Sequence, residues 1–137
     1  MLFSYKVEAP ANTTYDNRVV QNLKVYRGII TRVLVLIPAG HHALAHLVLS
    51  IGETPIAPEH GVEGIRGDDQ ILPFLLYHEV TSDEEYIKAE CWNEDDTYSH
   101  AFYVYVEIQP PELAQATQEL VKIMQQIRTL LIARRIS

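Results

Sequence analysis

The sequence predicts a mainly β protein: an antiparallel β-sandwich of jelly-roll type, followed by one long C-terminal α-helix. About seven or eight short apolar segments recur roughly every 8–12 residues between turn signals, which is typical of sandwiches and jelly rolls. After Pro110-Pro111 this alternation gives way to the three-then-four spacing of a helix. We therefore expect a β-sandwich domain at residues 1–109 and an amphipathic helix within residues 110–137.

The stretch from Gly28 to Ile51 is the centre of the predicted sandwich. Two apolar segments, Ile29–Ile37 and Leu44–Ile51, flank a connection that contains Pro38 and Gly40. Both segments are largely apolar on both faces. This indicates inner strands that are covered on one face and at least partly covered on the other. We expect them to be neighbouring inner strands. One face of the first segment would carry Ile29, Thr31, Val33, Val35 and Ile37, and one face of the second Ala45, Leu47, Leu49 and Ile51.

The other strands follow from alternation and from turn residues between them. Pro73 predicts that its strand lies at a sheet edge or carries a bulge, because proline cannot donate to a β-ladder. Glycines and charges in Pro58–Gln70 predict an exposed loop with few internal contacts, available to a partner. The remaining strands are expected at residues 3–9, 19–26, 56–57, 71–80, 86–92 and 102–108.

Composition excludes several classes of function. The 137 residues carry a net charge of −7, which argues against coating nucleic acid because phosphate binding needs a basic face. The charge is divided unevenly: residues 1–110 hold 7 basic and 16 acidic residues (−9), and residues 111–137 hold 4 and 2 (+2). No apolar stretch is long enough to cross a membrane, and no leader segment is expected at the N-terminus. Cys91 is the only cysteine and is expected to be a small core side chain.

The C-terminal helix is expected to run from Glu112 to about Ala133. Pro111 suits the first helical turn, and Glu112 complements the helix dipole. Its apolar seam consists of Leu113, Ala116, Leu120, Ile123, Ile127 and Leu130, widened by Thr117, Met124 and Leu131. Two interpretations stay open: the helix docks on its own sandwich, or it forms an interface with other copies or another protein. Leucine at one seam position and isoleucine at the other favours more than two strands, hence a trimer among homo-oligomers.

Candidate chemistry is sparse. The sequence contains no nucleophile elbow, phosphate loop or catalytic triad pattern, so we expect no enzyme and no cofactor or metal. The acidic clusters at 68–69, 83–85 and 94–96 lack the spacing of a calcium loop and are interpreted as solvated turns. His42 and His46 are too far apart on a strand to chelate a metal. A possible ligand loop contains Arg66, Asp68 and Asp69.

Four aromatic residues suggest a second kind of site. Trp92, Tyr98, Tyr103 and Tyr105 could form a face that stacks on sugar rings. Tyr103 and Tyr105 alternate with core residues of the last strand and therefore lie on its outer face, where packing under the helix is the favoured alternative.

Three segments carry a resemblance to a known group of proteins. Ile37–Leu47 (IPAGHHALAHL), Cys91–His100 (CWNEDDTYSH) and the opening Tyr5–Thr13 (YKVEAPANT) resemble small proteins of tailed-phage and related metagenomic genomes. The resemblance spans most of residues 1–108, and the helix is an extension to it. It implies a non-enzymatic virion structural protein, such as a capsid decoration, spike or tail component, assembled in the host cytoplasm with other virion proteins. The alternative is a β-sandwich module that binds a carbohydrate or a receptor.

Overall fold

The computed structural model describes residues 1–58 and 63–136, and in the C-terminal helix it leaves out the side chains of residues 113–115, 117 and 135–136. The described residues form eight strands, one α-helix and a short 3-10 helix at Tyr15–Asn17. The elements are β1 (Leu2–Ala9), β2 (Val19–Lys24), β3 (Gly28–Ile37), β4 (Ala45–Ile51), β5 (Thr54–Ala57), β6 (Gln70–Val80), β7 (Tyr86–Asn93), β8 (His100–Gln109) and α1 (Pro111–Ile136).

The strands form two antiparallel four-stranded sheets. The first sheet has the order β1-β8-β3-β6 and the second the order β2-β7-β4-β5. The pairs β1 with β8, β2 with β7, β3 with β6 and β4 with β5 are those of one long hairpin rolled into two layers. This is the connectivity of a jelly roll, so the predicted fold class is confirmed.

The core lies between the two sheets. Alternate residues of each strand point into it, as the period of two in an antiparallel sheet with one solvated face requires. Cys91 is buried there as predicted, and burial raises the pKa of its thiol to about 11. The core side chains include Val7, Val33, Val35, Phe102, Val104 and Val106 from the first sheet and Leu23, Leu47, Leu49, Ile87, Ala89 and Cys91 from the second.

β3 and β4 are both inner strands, as predicted, but they are not neighbours. β3 lies between β8 and β6 in the first sheet, and β4 lies between β7 and β5 in the second. The connection at residues 38–44 therefore crosses from one sheet to the other. Two apolar strands in succession indicate inner positions, but they cannot distinguish one sheet from two facing sheets.

The predicted faces of β3 are wrong at its N-terminal end. The register shifts between Ile30 and Arg32 on both sides of the strand, which marks a β-bulge. A bulge inserts one extra residue and reverses the alternation. The inward side chains are therefore Ile30, then Val33, Val35 and Ile37, and Ile29 is buried outside the central core cluster. The predicted face of β4 is confirmed.

The segment after β5 is more ordered than expected. Ile65 is buried and exchanges two backbone hydrogen bonds with Leu47, of 2.7 and 3.0 Å. The amide of Ala43 donates to the Gly67 carbonyl at 3.0 Å, and the Arg66 side chain donates to the Ala43 carbonyl at 3.0 Å. The prediction of few internal contacts is therefore wrong for residues 63–69, while residues 59–62 of that loop lie outside the described residues.

β6 carries Pro73 at the edge of the first sheet, as predicted. The C-terminal helix is confirmed and runs on past Ala133 to Ile136.

Candidate assembly interface

The C-terminal helix begins as its first residues dictate. Pro111 occupies the first helical position, where its missing N–H has no intrahelical role, and Glu112 lies in the first turn. The helix is 26 residues long, which corresponds to about 39 Å at about 1.5 Å per residue. A helix of this length needs tertiary or quaternary packing for most of its stability in water.

The apolar seam of α1 is exposed to solvent. Its large side chains are between 52% and 67% exposed. At 3.6 residues per turn the seam spans an arc of about 120°, a width that suits packing against a surface or a bundle. These residues are Leu120, Ile123, Met124, Ile127, Leu130 and Leu131, and Ala116 is exposed beside them. The side chain of Leu113, also predicted in this seam, lies outside the described residues.

Docking of α1 on its own sandwich is therefore the wrong interpretation for the described part of the helix. Every helix side chain that the structure describes is exposed. Tyr103 and Tyr105, expected under the helix, are half-buried on the outer face of the first sheet.

That outer face is a second large apolar surface in the described part of the molecule, and it was not among the sites predicted from the sequence. Neighbouring strands place Leu36 between Tyr103 and Ile71, and Leu34 between Tyr105 and Pro73. Leu75 is 80% exposed, and Ile71 and Tyr77 also face solvent. We call the following set the outer apolar face: Leu34, Leu36, Ile71, Pro73, Leu75, Tyr77, Tyr103 and Tyr105. Contiguous exposed apolar patches of this kind mark interaction surfaces.

One signal in the sequence could have identified this face. Residues 71–77 are apolar at odd and even positions alike. Leu72, Phe74 and Leu76 pack against the core, so the odd-numbered residues of the same strand must point outward.

The predicted ligand loop is held by its own hydrogen bonds. The Asp68 carboxylate accepts a hydrogen bond from the Gly40 amide at 2.8 Å. Burial would raise the pKa of Asp68, but hydrogen bonds from the backbone of His42 and Gly40 lower it below its ordinary value. Arg66 pairs with Glu63 at 3.3 Å, and Asp69 is exposed with a positive φ of 50°. Arg66 and Asp68 therefore have separate local partners, and no contact described for this loop joins the three predicted side chains.

The acidic turns are also satisfied locally. The Glu85 carboxylate accepts hydrogen bonds from the amides of Thr81 and Ser82 at 2.8 and 3.2 Å. Asp95 accepts hydrogen bonds from the amides of Thr97 and Tyr98. The hydrogen bond from the Thr97 backbone is the largest cause that lowers the pKa of Asp95. These carboxylates act as turn caps, and both are more covered than the predicted solvated turns, since Asp95 also contacts His100 and Glu85 also contacts His78.

The aromatic residues proposed as a sugar-binding face do not converge. Trp92 is only 6% exposed and stacks on His46, with ring centroids 4.9 Å apart and planes inclined by 4°. It belongs to β7 of the second sheet, whereas Tyr103 and Tyr105 belong to β8 of the first. Sequence spacing could not show that these residues lie on different sheets.

Two histidines meet at the end of the first sheet. His41 is buried, and its Nε2 lies 2.8 Å from the Ala101 carbonyl oxygen, where the N–H donates. Its ring centroid is 4.7 Å from that of His100, whose Nε2 is 2.8 Å from the Asp95 carboxylate. Burial lowers the pKa of His41. These contacts join the β3–β4 connection to β8.

Within residues 1–58 and 63–136 no group of three or more His, Cys, Asp or Glu side chains is placed to hold a metal ion. In the same described part of the chain, no helix is both long and apolar enough to cross a membrane.

The described residues form a jelly-roll sandwich followed by a helix with an exposed apolar seam. No protein-family model and no curated protein matches the sequence. Among solved structures, the chain is similar to FeII HppE (TM-score 0.34, 13% identity, 77% of this chain and 43% of that one). It is also similar to the VP2 subviral particle of infectious bursal disease virus (TM-score 0.36, 10% identity, 79% and 33%). The chain spans less than half of either protein, and at these scores neither likeness assigns a function to it.

Proposed function

We propose that this protein is a non-enzymatic structural component of a virion that assembles through its C-terminal helix. The observation that carries the proposal is the solvent-exposed apolar seam of α1. A soluble helix with such a seam gains its stability by burying it against a partner. The placement in a virion is supported by the resemblance of residues 1–108 to small tailed-phage proteins.

Removing the helix tests the assembly step. The full-length protein should be oligomeric, with a trimer favoured, or should bind another virion protein, because its apolar seam needs cover. A chain that ends at Pro110 should stay folded and become monomeric, because none of the helix side chains that the structure describes belongs to the core of the sandwich. Multi-angle light scattering at matched concentrations measures both states, and circular dichroism confirms the retained β structure. Two monomers, with a truncated chain that has lost its fold, would contradict the proposal.

A second measurement tests the placement in a virion. Quantitative mass spectrometry of purified particles should find this polypeptide at a high copy number that matches particle symmetry. Its absence from purified particles, with the protein left in the lysate, would contradict a structural role.

A further inference from the structure

We infer that the outer apolar face of the first sheet is the docking surface for helix α1 of a second copy of this chain. This inference rests on the proposed assembly through α1 and specifies what the helix binds. The chain carries two large apolar surfaces that lack an intramolecular cover in the described structure: the helix seam and the outer apolar face. Each copy therefore supplies one helix seam and one outer apolar face.

The two surfaces match in length. The seam from Ala116 to Leu131 spans about 22 Å at about 1.5 Å per residue. The exposed residues of β6 from Ile71 to Tyr77 span about 20 Å at about 3.4 Å per residue. A helix lying along β6 would therefore cover the exposed apolar residues of that strand, with Leu34 and Leu36 of β3 beside it at the Ile71 end.

They match in width as well. The outer apolar face spreads over β8, β3 and β6, so two gaps of about 4.8 Å separate its outermost strands. The resulting width of about 10 Å equals the diameter of one helix. The ion pair between Arg32 on β3 and Glu107 on β8, with atoms 2.9 Å apart, limits the face along those two strands. On the β1 side, the polar residues Ser4 and Lys6 lie beside Tyr105 and Tyr103. The apolar part therefore accommodates one helix.

Charge favours a second copy as the occupant. Residues 1–110 carry −9 and residues 111–137 carry +2, so the helix is attracted to the sandwich of its neighbour. The contact joins two different surfaces, the helix seam and the outer apolar face. The assembly closes either when two copies exchange helices reciprocally or when several copies form a ring.

Disulfide trapping between differently tagged chains tests the inference. One chain carries Leu75→Cys in the outer apolar face. The other carries Met124→Cys, Ile127→Cys or Leu131→Cys, a panel that covers about 10 Å of helix, so the exact register does not matter. The native Cys91 is buried and does not contribute. After mild oxidation, we expect a disulfide between the two tagged chains for at least one helix position.

Three outcomes would overturn the inference. Disulfides only between helix cysteines would show a helix bundle. In a further variant, one chain carries both cysteines. A disulfide formed only within that chain would show that α1 folds back on its own sheet. Cross-linking no stronger than with Val20→Cys, an exposed control on the other sheet, would show that the outer apolar face binds no helix.

A pair of full-length variants provides an independent test. Ile71→Lys with Leu75→Lys should weaken self-association by about 100-fold or more, because two large apolar contacts are lost and charges face the basic helix. The matched control is Val20→Lys with Asn22→Lys, which changes two exposed residues on β2, the edge strand of the other sheet. It should leave association unchanged. If the first variant associates as the wild type does, the inference fails while assembly through α1 stands. If the wild type itself is monomeric, the inference fails, and assembly through α1 requires another virion protein. The proposed function fails if the wild type is monomeric and the chain that ends at Pro110 also loses its fold.

Discussion

At the scale of single residues, stability is concentrated in side chains that touch both sheets. Leu47 is fully buried, lies on inner strand β4, and bonds through its backbone to Ile65. Leu47→Ala should lower the free energy of unfolding by about 2–4 kcal/mol, because it leaves a cavity in a packed core. Denaturant unfolding measures this, and Val20→Ala, at an exposed position, should change it by less than about 0.5 kcal/mol. A change below about 1 kcal/mol at Leu47 would place that side chain outside the core.

His41 gives the sandwich a dependence on pH. Burial lowers the pKa of His41 below the ordinary 6.5. Between the folded and the unfolded value, the unfolded chain therefore binds a proton at His41 more readily than the folded chain does. Its contribution is complete above about pH 6.5 and is lost as the pH falls from there to the lowered folded value. The free energy of unfolding of the wild type should therefore decrease over that range.

A variant that cannot titrate isolates this effect. His41→Gln keeps an N–H that can donate to the Ala101 carbonyl, and it should flatten the slope below pH 6.5. Asp95 also contributes to the pH dependence, but its lowered pKa acts below its ordinary value of 3.8. An unchanged slope in His41→Gln would assign the pH dependence to other groups.

Residue patterns predict burial well until the backbone departs from strict alternation. The inward residues of β1, β4 and β8 follow directly from their period of two. In β3 the bulge after Ile30 reverses the alternation, and neither glycine nor proline lies at the bulge itself, between Ile30 and Arg32. A bulge is specified by both neighbouring strands, so one strand's own residues could not reveal it.

At the scale of elements, the segment after β5 is bound beside β4. The amides of Ile65 and Leu47 donate to each other's carbonyls, and that of Ala43 donates to Gly67. These three amides should exchange slowly with deuterium, as bonded amides in a packed structure do. Ile65→Ala should speed exchange at residues 43 and 65 and leave the core strand at Val35 protected. Fast exchange at all three amides in the wild type would contradict the described packing.

Charged and glycine-rich composition predicted a loop here, and the loop exists, but its anchoring was not readable. Ile65 and Gly67 anchor the loop through backbone hydrogen bonds. Their partners, Leu47 and Ala43, lie about 20 residues earlier in the chain. The helix was predicted with nearly correct bounds because its apolar spacing and Pro111 are local signals. What the helix seam contacts depends on surfaces distant in sequence, which local patterns do not specify.

At the scale of the whole molecule, the jelly roll explains why the helix that carries the apolar seam is connected to the sheet that carries the outer apolar face. β8 lies in the first sheet and leads directly into α1, so the helix leaves the molecule from the sheet that carries the outer apolar face. Strand order was not predictable from the sequence, since eight alternating segments fit many pairings. In the proposed assembly, this arrangement would couple docking of the helix to the stability of the sandwich.

Docking of a neighbour's helix on β3 and β6 should stabilise the native sandwich by mass action. A contact that binds only the folded state adds about 2.7 kcal/mol at 100 times its dissociation constant, so the thermal midpoint should rise with protein concentration. Trp92, the only tryptophan, is buried in β7 and reports the sandwich by fluorescence, whereas circular dichroism at helical wavelengths reports α1. The Trp92 midpoint should depend on concentration in the wild type and lose that dependence in Ile71→Lys with Leu75→Lys. If only the helical signal depends on concentration, the helices pack against one another and leave the sandwich uncoupled.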